Sequence, residues 1–163
     1  MKTREIVFAG TVAALYAALV LMNAGYSFGP VQFRVAEALT VLPFLFPAAI
    51  PGLFIGCMLA NIMSPFLGIL DVVFGSLATL LAAFLTSRCK SRWLAPLPPI
   101  IINALVIGAL LAFFVPDAEA TVIAFIVIGL QIGLSELIVC AGLGIPLLLA
   151  LEKLRLGEKF PGR

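Results

Sequence analysis

The chain has 163 residues, of which 63% are hydrophobic and 11% charged, and its mean hydropathy is +1.24. Soluble globular domains carry roughly 45–50% apolar and about 25% charged residues, so this composition excludes a water-soluble domain and makes the bilayer the solvent for most of the surface. The net charge is only +2 and there is no histidine, which removes His-based acid–base catalysis, Ser-His and Cys-His nucleophilic pairs and the usual metal ligand. The three cysteines, Cys57, Cys89 and Cys140, are widely separated and odd in number, so they form neither a zinc pattern nor a disulfide framework. No cofactor or metal is expected.

A helix needs about 20 residues to cross the hydrocarbon. The chain therefore has room for at most six or seven spans and for no soluble domain. The apolar runs are continuous rather than alternating, which excludes a β-barrel. The predicted architecture is an all-α, polytopic, six-helix transmembrane bundle, a single domain over residues 1–163.

In chain order, the first span is Ile6–Ala24. It follows Lys2 and Arg4 as a signal peptide would, but the apolar run lacks a clear cleavage site and reads as a retained helix. Val35–Pro47 and Gly52–Phe66 are short, and Pro43, Pro47 and Pro51 predict kinked or tilted helices there. Leu70–Thr86 and Pro98–Val115 are the fourth and fifth spans. The last, Ala120–Leu151, is long enough to run beyond the membrane or to bend around Gly142 and Gly144 before Pro146.

Basic residues cluster at Lys2 and Arg4, at Arg88, Lys90 and Arg92, and at Lys153, Arg155, Lys159 and Arg163. Six spans put all three clusters on one side, which the positive-inside rule makes cytoplasmic, with both termini inside. Asn23–Arg34, Ser64–Ile69 and the loop carrying Asp117 and Glu119 then face outward.

Few ionisable groups remain within or beside the spans: Arg34, Glu37, Asp71 and Glu136. The amides Asn61, Asn103 and Gln131 accompany them. A charge at the centre of a spanning helix costs about 2.5–3.5 kcal/mol on insertion scales, so these groups must face the bundle interior. Three acids against one arginine leave a net −2 if all are ionised. Protonated carboxyls or a cationic, donor-rich ligand would restore the balance. Simpler roles stay open: Glu37 pairing with Arg34 on one helical face, Asp71 capping a helix, and the amides bridging helices. Along the first span Ala9, Ala13 and Ala17 recur every fourth residue, with Gly10, Ala14 and Ala18 beside them. Such a small-residue face admits close approach by another helix, inside the bundle or on a separate subunit. There is no P-loop for ATP hydrolysis and no paired transmembrane repeat of the kind secondary transporters carry. These absences point to a binding subunit that draws energy from a partner.

The stretch VQFRVAEALTVLPFLFPAAIPGLFIGCMLAN (Val31–Asn61) and the following GILDVVFGSLATLLAA (Gly68–Ala83) resemble the QueT family, regarded as substrate-binding (S) components of energy-coupling factor (ECF) transporters for queuosine precursors. The resemblance extends over nearly the whole chain. It implies capture of preQ1 or queuine from outside, followed by association with a transmembrane T subunit and two ATPases. It also implies docking on the T subunit through the face of Ala9, Gly10, Ala13, Ala14 and Ala17. In such a site one carboxylate would accept the N1–H and amino group of a 7-deazaguanine, and another would meet its amine. Glu37, Asp71 and Glu136 are the expected acids, with Arg34 beside them. Asn61, Gln131 and Asn103 are the hydrogen-bonding candidates, and Phe33, Phe74 and Tyr26 the stacking ones. An S component for another vitamin or nucleobase is the alternative. An intramembrane aspartyl-type enzyme is disfavoured, because Asp71 is the one aspartate within a predicted span. A purely structural membrane protein is the remaining reading.

Overall fold

The computed structural model describes residues 2–27, 33–64, 68–114 and 121–154. Asp117 and Glu119, and the basic residues Arg155, Lys159 and Arg163, lie outside them. The described residues are helical throughout, with short connections. Helix α1 (Thr3–Met22) begins where Glu5 accepts the Lys2 backbone N–H at 2.8 Å and is followed by the single turn α2 (Ala24–Ser27). A 3₁₀ helix (Val35–Phe44) leads into α3 (Ala49–Asn61). A π-helical turn (Asp71–Gly75) continues as α4 (Ser76–Arg88), and α5 (Leu97–Phe114) follows. The last rod comprises α6 (Val122–Glu136), a π-helical stretch (Leu137–Gly144) and α7 (Ile145–Lys153). The Thr121 hydroxyl sets its start by accepting from the Ala124 amide at 3.1 Å.

The six apolar segments of the sequence correspond to these six rods. Three of them, Thr3–Met22, Leu97–Phe114 and Val122–Lys153, are long and apolar enough to cross a membrane. Together they make the chain a helical multi-pass membrane protein. The second segment differs most from expectation: it is a 3₁₀ helix, with Pro43 in its last turn, rather than a kinked α-helix. Ten residues at about 2.0 Å each extend only about 20 Å, against a hydrocarbon layer of about 30 Å. Backbone of this kind survives at membrane depth only when protein surrounds it, and Ala36 to Phe44 is buried without a break. The bend expected near Gly142 and Gly144 takes the form of the π-helical stretch, where Gly144 lies against Val41 of the 3₁₀ helix.

Around this central element the outer rods pack through small residues. A Cβ on Gly52 would lie 2.3 Å from the Ala9 carbonyl oxygen, and one on Gly56 would lie 2.8 Å from that of Ala13. The ascending matches, 9 with 52 and 13 with 56, show α1 and α3 parallel and nearly touching. Helices α5 and α6 run antiparallel through Gly108 against Gly129, with Ala104 over Gly129 and Gly133. At one end of the bundle Arg92, in the connection after α4, pairs with Glu152 of α7.

The α1–α3 seam therefore depends on glycine. Gly52→Ala is expected to destabilise the protein by about 1–3 kcal/mol through overpacking. Gly10→Ala, whose Cβ would meet nothing within 4 Å, is expected to be neutral or slightly stabilising. Thermal unfolding of the two variants in detergent checks the contrast.

Candidate functional site

Four rods converge on one interior cavity, lined by Arg34, Glu37, Gly75, Thr79, Asn103, Ile107, Ile132 and Glu136. The 3₁₀ helix positions Arg34 and Glu37, since the Glu37 amide donates to the Arg34 carbonyl at 3.0 Å and closes an i to i+3 turn. Such turns eclipse side chains three residues apart. The Arg34 Nε donates to the Ser27 carbonyl at 3.2 Å. Glu37 is 2% exposed. Its Oε1 accepts from the Tyr16 hydroxyl on α1, and its Oε2 has no partner among the described residues. The Thr40 hydroxyl binds the Glu37 carbonyl at 2.6 Å, holding the turn closed.

Opposite stands Glu136, at the junction of α6 with the π-helical stretch. Its Oε1 accepts from Asn103 Nδ2 at 2.8 Å, and the Cys140 thiol lies 3.2 Å from its Oε2. The same thiol is 3.4 Å from the Glu37 carbonyl, so Cys140 links the two glutamates' segments. Thr79, on the remaining wall, bonds to the Gly75 carbonyl at 3.1 Å and to Cys57 at 3.2 Å. Isoleucines 107 and 132 supply the apolar surface. The wall carries two carboxylates and one guanidinium, a net charge of −1 when all are ionised.

Other residues singled out from the sequence fall elsewhere. Asp71 and Asn61 form a second buried polar group beyond Gly75: Asn61 Nδ2 donates to the Asp71 carbonyl at 2.9 Å, and the Ser64 hydroxyl binds the Asp71 carboxylate. Asp71 Oδ1 and Asn61 Oδ1 are buried without partners among the described residues. The Asp71 side chain does not cap its helix, because Ser64 holds it. Gln131 is half-buried on α6, away from the cavity wall. Phe74 and Tyr26 are 45% and 74% exposed and are not among the residues lining the cavity. Phe33 is half-buried, its amide bonded to the Tyr26 carbonyl at 3.0 Å, and lies outside the cavity wall. The small-residue face divides. Ala9 and Ala13 are buried under the α3 glycines and so are not available to another subunit, Ala17 is half-buried, and Gly10, Ala14 and Ala18 face outward.

Sequence reasoning missed Thr79, Gly75 and Tyr16. Asp71, Gly75 and Thr79 recur at i, i+4 and i+8, which sets two polar residues and a glycine gap along one helical face. Tyr16 is a polar-tipped aromatic in the middle of an apolar span, whose hydroxyl needs a partner when buried.

A lipid-embedded helical bundle that gathers charged and amide side chains around one interior cavity is an architecture suited to a membrane protein that handles a small polar solute. The family model described as QueT transporter matches residues 6–153, and the chain belongs to that family, one of transporters rather than enzymes. Over 81 residues it is 41% identical to a protein of Lactococcus lactis subsp. cremoris (strain MG1363) named queuosine precursor transporter QueT. That match covers 48% of this chain and 47% of the relative, about half the length of each. No solved structure matches the chain.

The Asn103–Glu136 bond makes a separable contribution. Asn103→Leu strips one donor from a buried carboxylate and is expected to cost about 1–3 kcal/mol. Adding Glu136→Leu removes the stranded acceptor and is expected to recover part of that loss, the remainder reflecting the nearness of Asn103 to Glu37, as thermal denaturation of the single and double variants would show.

Proposed function

We propose that the chain is the membrane-embedded S component of an ECF-type importer, and that it captures a queuosine precursor, preQ1 or queuine, in the cavity between Glu37 and Glu136. The observation that carries this reading is the convergence of Arg34, Glu37, Asn103 and Glu136 on one interior cavity. With both carboxylates and the guanidinium ionised, the cavity's net charge of −1 is neutralised by a ligand bearing one cationic amine. Neutralisation matters at this depth, where an unbalanced charge is costly. Family membership and the name of the lactococcal relative support the cargo class.

The cavity's clear volume is about 10 Å³, room for roughly one water molecule, whereas small-molecule sites span about 300–1,000 Å³. Binding a bicyclic base therefore requires its walls to part. Two of those walls adjoin π-helical backbone, at Gly75 and after Glu136, and π-helical turns are found frequently at functional sites. The energy for import would come from a T subunit and two ATPases on the cytoplasmic side, the side of both termini. The outward face of α1 formed by Gly10, Ala14 and Ala18 offers the T subunit a close approach.

Isothermal titration of the detergent-purified protein with preQ1, queuine, guanine and riboflavin tests the proposal. Submicromolar binding of a 7-deazaguanine is expected, weakened at least about tenfold in Glu37→Gln and in Glu136→Gln through loss of charge-assisted hydrogen bonds. Binding of riboflavin alone would reassign the protein to another vitamin. Binding of none of the four would sink the reading.

A further inference from the structure

We infer that the two cavity glutamates read opposite ends of the ligand: Arg34 and Glu37 recognise the base edge, and Glu136 takes the ammonium. This assignment rests on the proposed function. A guanine-type edge presents a carbonyl acceptor, then an N–H donor, then an amino donor. The i to i+3 turn that binds the Glu37 amide to the Arg34 carbonyl sets a cationic donor and a carboxylate acceptor side by side on the cavity wall, the complementary order. Glu37 also has the open acceptor. Its Oε1 is held by Tyr16, while its buried Oε2 makes no close hydrogen bond among the described residues and has only the Asn103 amide, already bonded to Glu136, nearby. A neutral base edge suits this position, because Arg34 and Glu37 already offset each other in charge and Arg34 would repel a second cation.

Glu136 has the reverse character. Its two oxygens face the Asn103 amide and the Cys140 thiol, both neutral donors that orient the carboxylate without cancelling its charge. Each carboxylate oxygen has a further lone-pair direction available. Arg34 lines the same cavity but sits on the Glu37 turn, and among the described residues Glu136 has no cation bonded to it; an ammonium supplies one without demanding a planar partner.

Three matched ligands separate the ends: 7-aminomethyl-7-deazaguanine, 7-deazaguanine without the amine, and 7-aminomethyl-7-deazahypoxanthine without the 2-amino group. Titrated against the wild type, either deletion is expected to weaken binding about tenfold or more. In Glu136→Gln the advantage conferred by the amine should shrink to within about threefold while the 2-amino advantage persists. In Glu37→Gln the 2-amino advantage should shrink and the amine advantage persist. Tyr16→Phe removes a single hydroxyl and releases Glu37. It should lower 2-amino discrimination alone, and it carries the test if Glu37→Gln fails to fold. The opposite pattern, or equal loss for all three ligands in both variants, overturns the assignment while leaving the functional proposal standing. A wild type that binds none of the three overturns both.

Discussion

Backbone amides and carbonyls inside a bilayer must find partners within the protein, and a segment too short to reach both interfaces must be wrapped by others. The 3₁₀ helix Val35–Phe44 is such a segment, buried continuously from Ala36 to Phe44, and the rest of the molecule is arranged around it. Helices α1 and α3 close on one side through their glycine–alanine seam, and the π-helical stretch of the last rod lies against it through Gly144 and Val41. Because the central element is enclosed, Glu37 is buried with its main chain fixed and only its carboxylate left to satisfy. The cavity follows from that placement.

The electrostatics of the cavity follow from the same enclosure. Arg34 and Glu37 arrive together on one turn, while Glu136 is delivered from a different rod and is bonded by neutral donors, Asn103 and Cys140. Two carboxylates of contrasting surroundings in one small space are a basis for discriminating between parts of a single ligand. Two carboxylates in matched surroundings would not provide it.

Much of this was legible in the sequence. Composition alone gives the helical membrane class, and the approximate limits of all six rods follow from the apolar runs. The acids Glu37 and Glu136, with Asn103 and Arg34, stand out because polar groups are rare there and expensive. Residues 43, 47 and 51 signalled irregular backbone, but proline does not reveal whether the result is a kinked α-helix or a 3₁₀ helix; that outcome depends on how completely neighbours cover the segment. The departure of Asp71 and Asn61 from the cavity wall was not readable either, since it arises from Ser64 and Gly75 in three dimensions. The Ala9–Ala13 pair was visible as a packing face, yet its partner, the Gly52–Gly56 pair of α3, became evident only once the two helices were known to be parallel neighbours. Aromatic residues are hard to place from sequence for a general reason: in a lipid-embedded chain, an apolar ring is as stable on the outside as on the inside.

The seam between α1 and α3 has a mechanical consequence. Helix α1 is clamped along Ala9 and Ala13, and three residues further on Tyr16 grips the Glu37 carboxylate. Between seam and grip there is less than one turn of helix, too little to flex. The helix thus works as a lever with a short arm: a push or tilt applied to its lipid-facing side reaches Glu37 with little slack, so Glu37 must move with it or let go of the tyrosine hydroxyl.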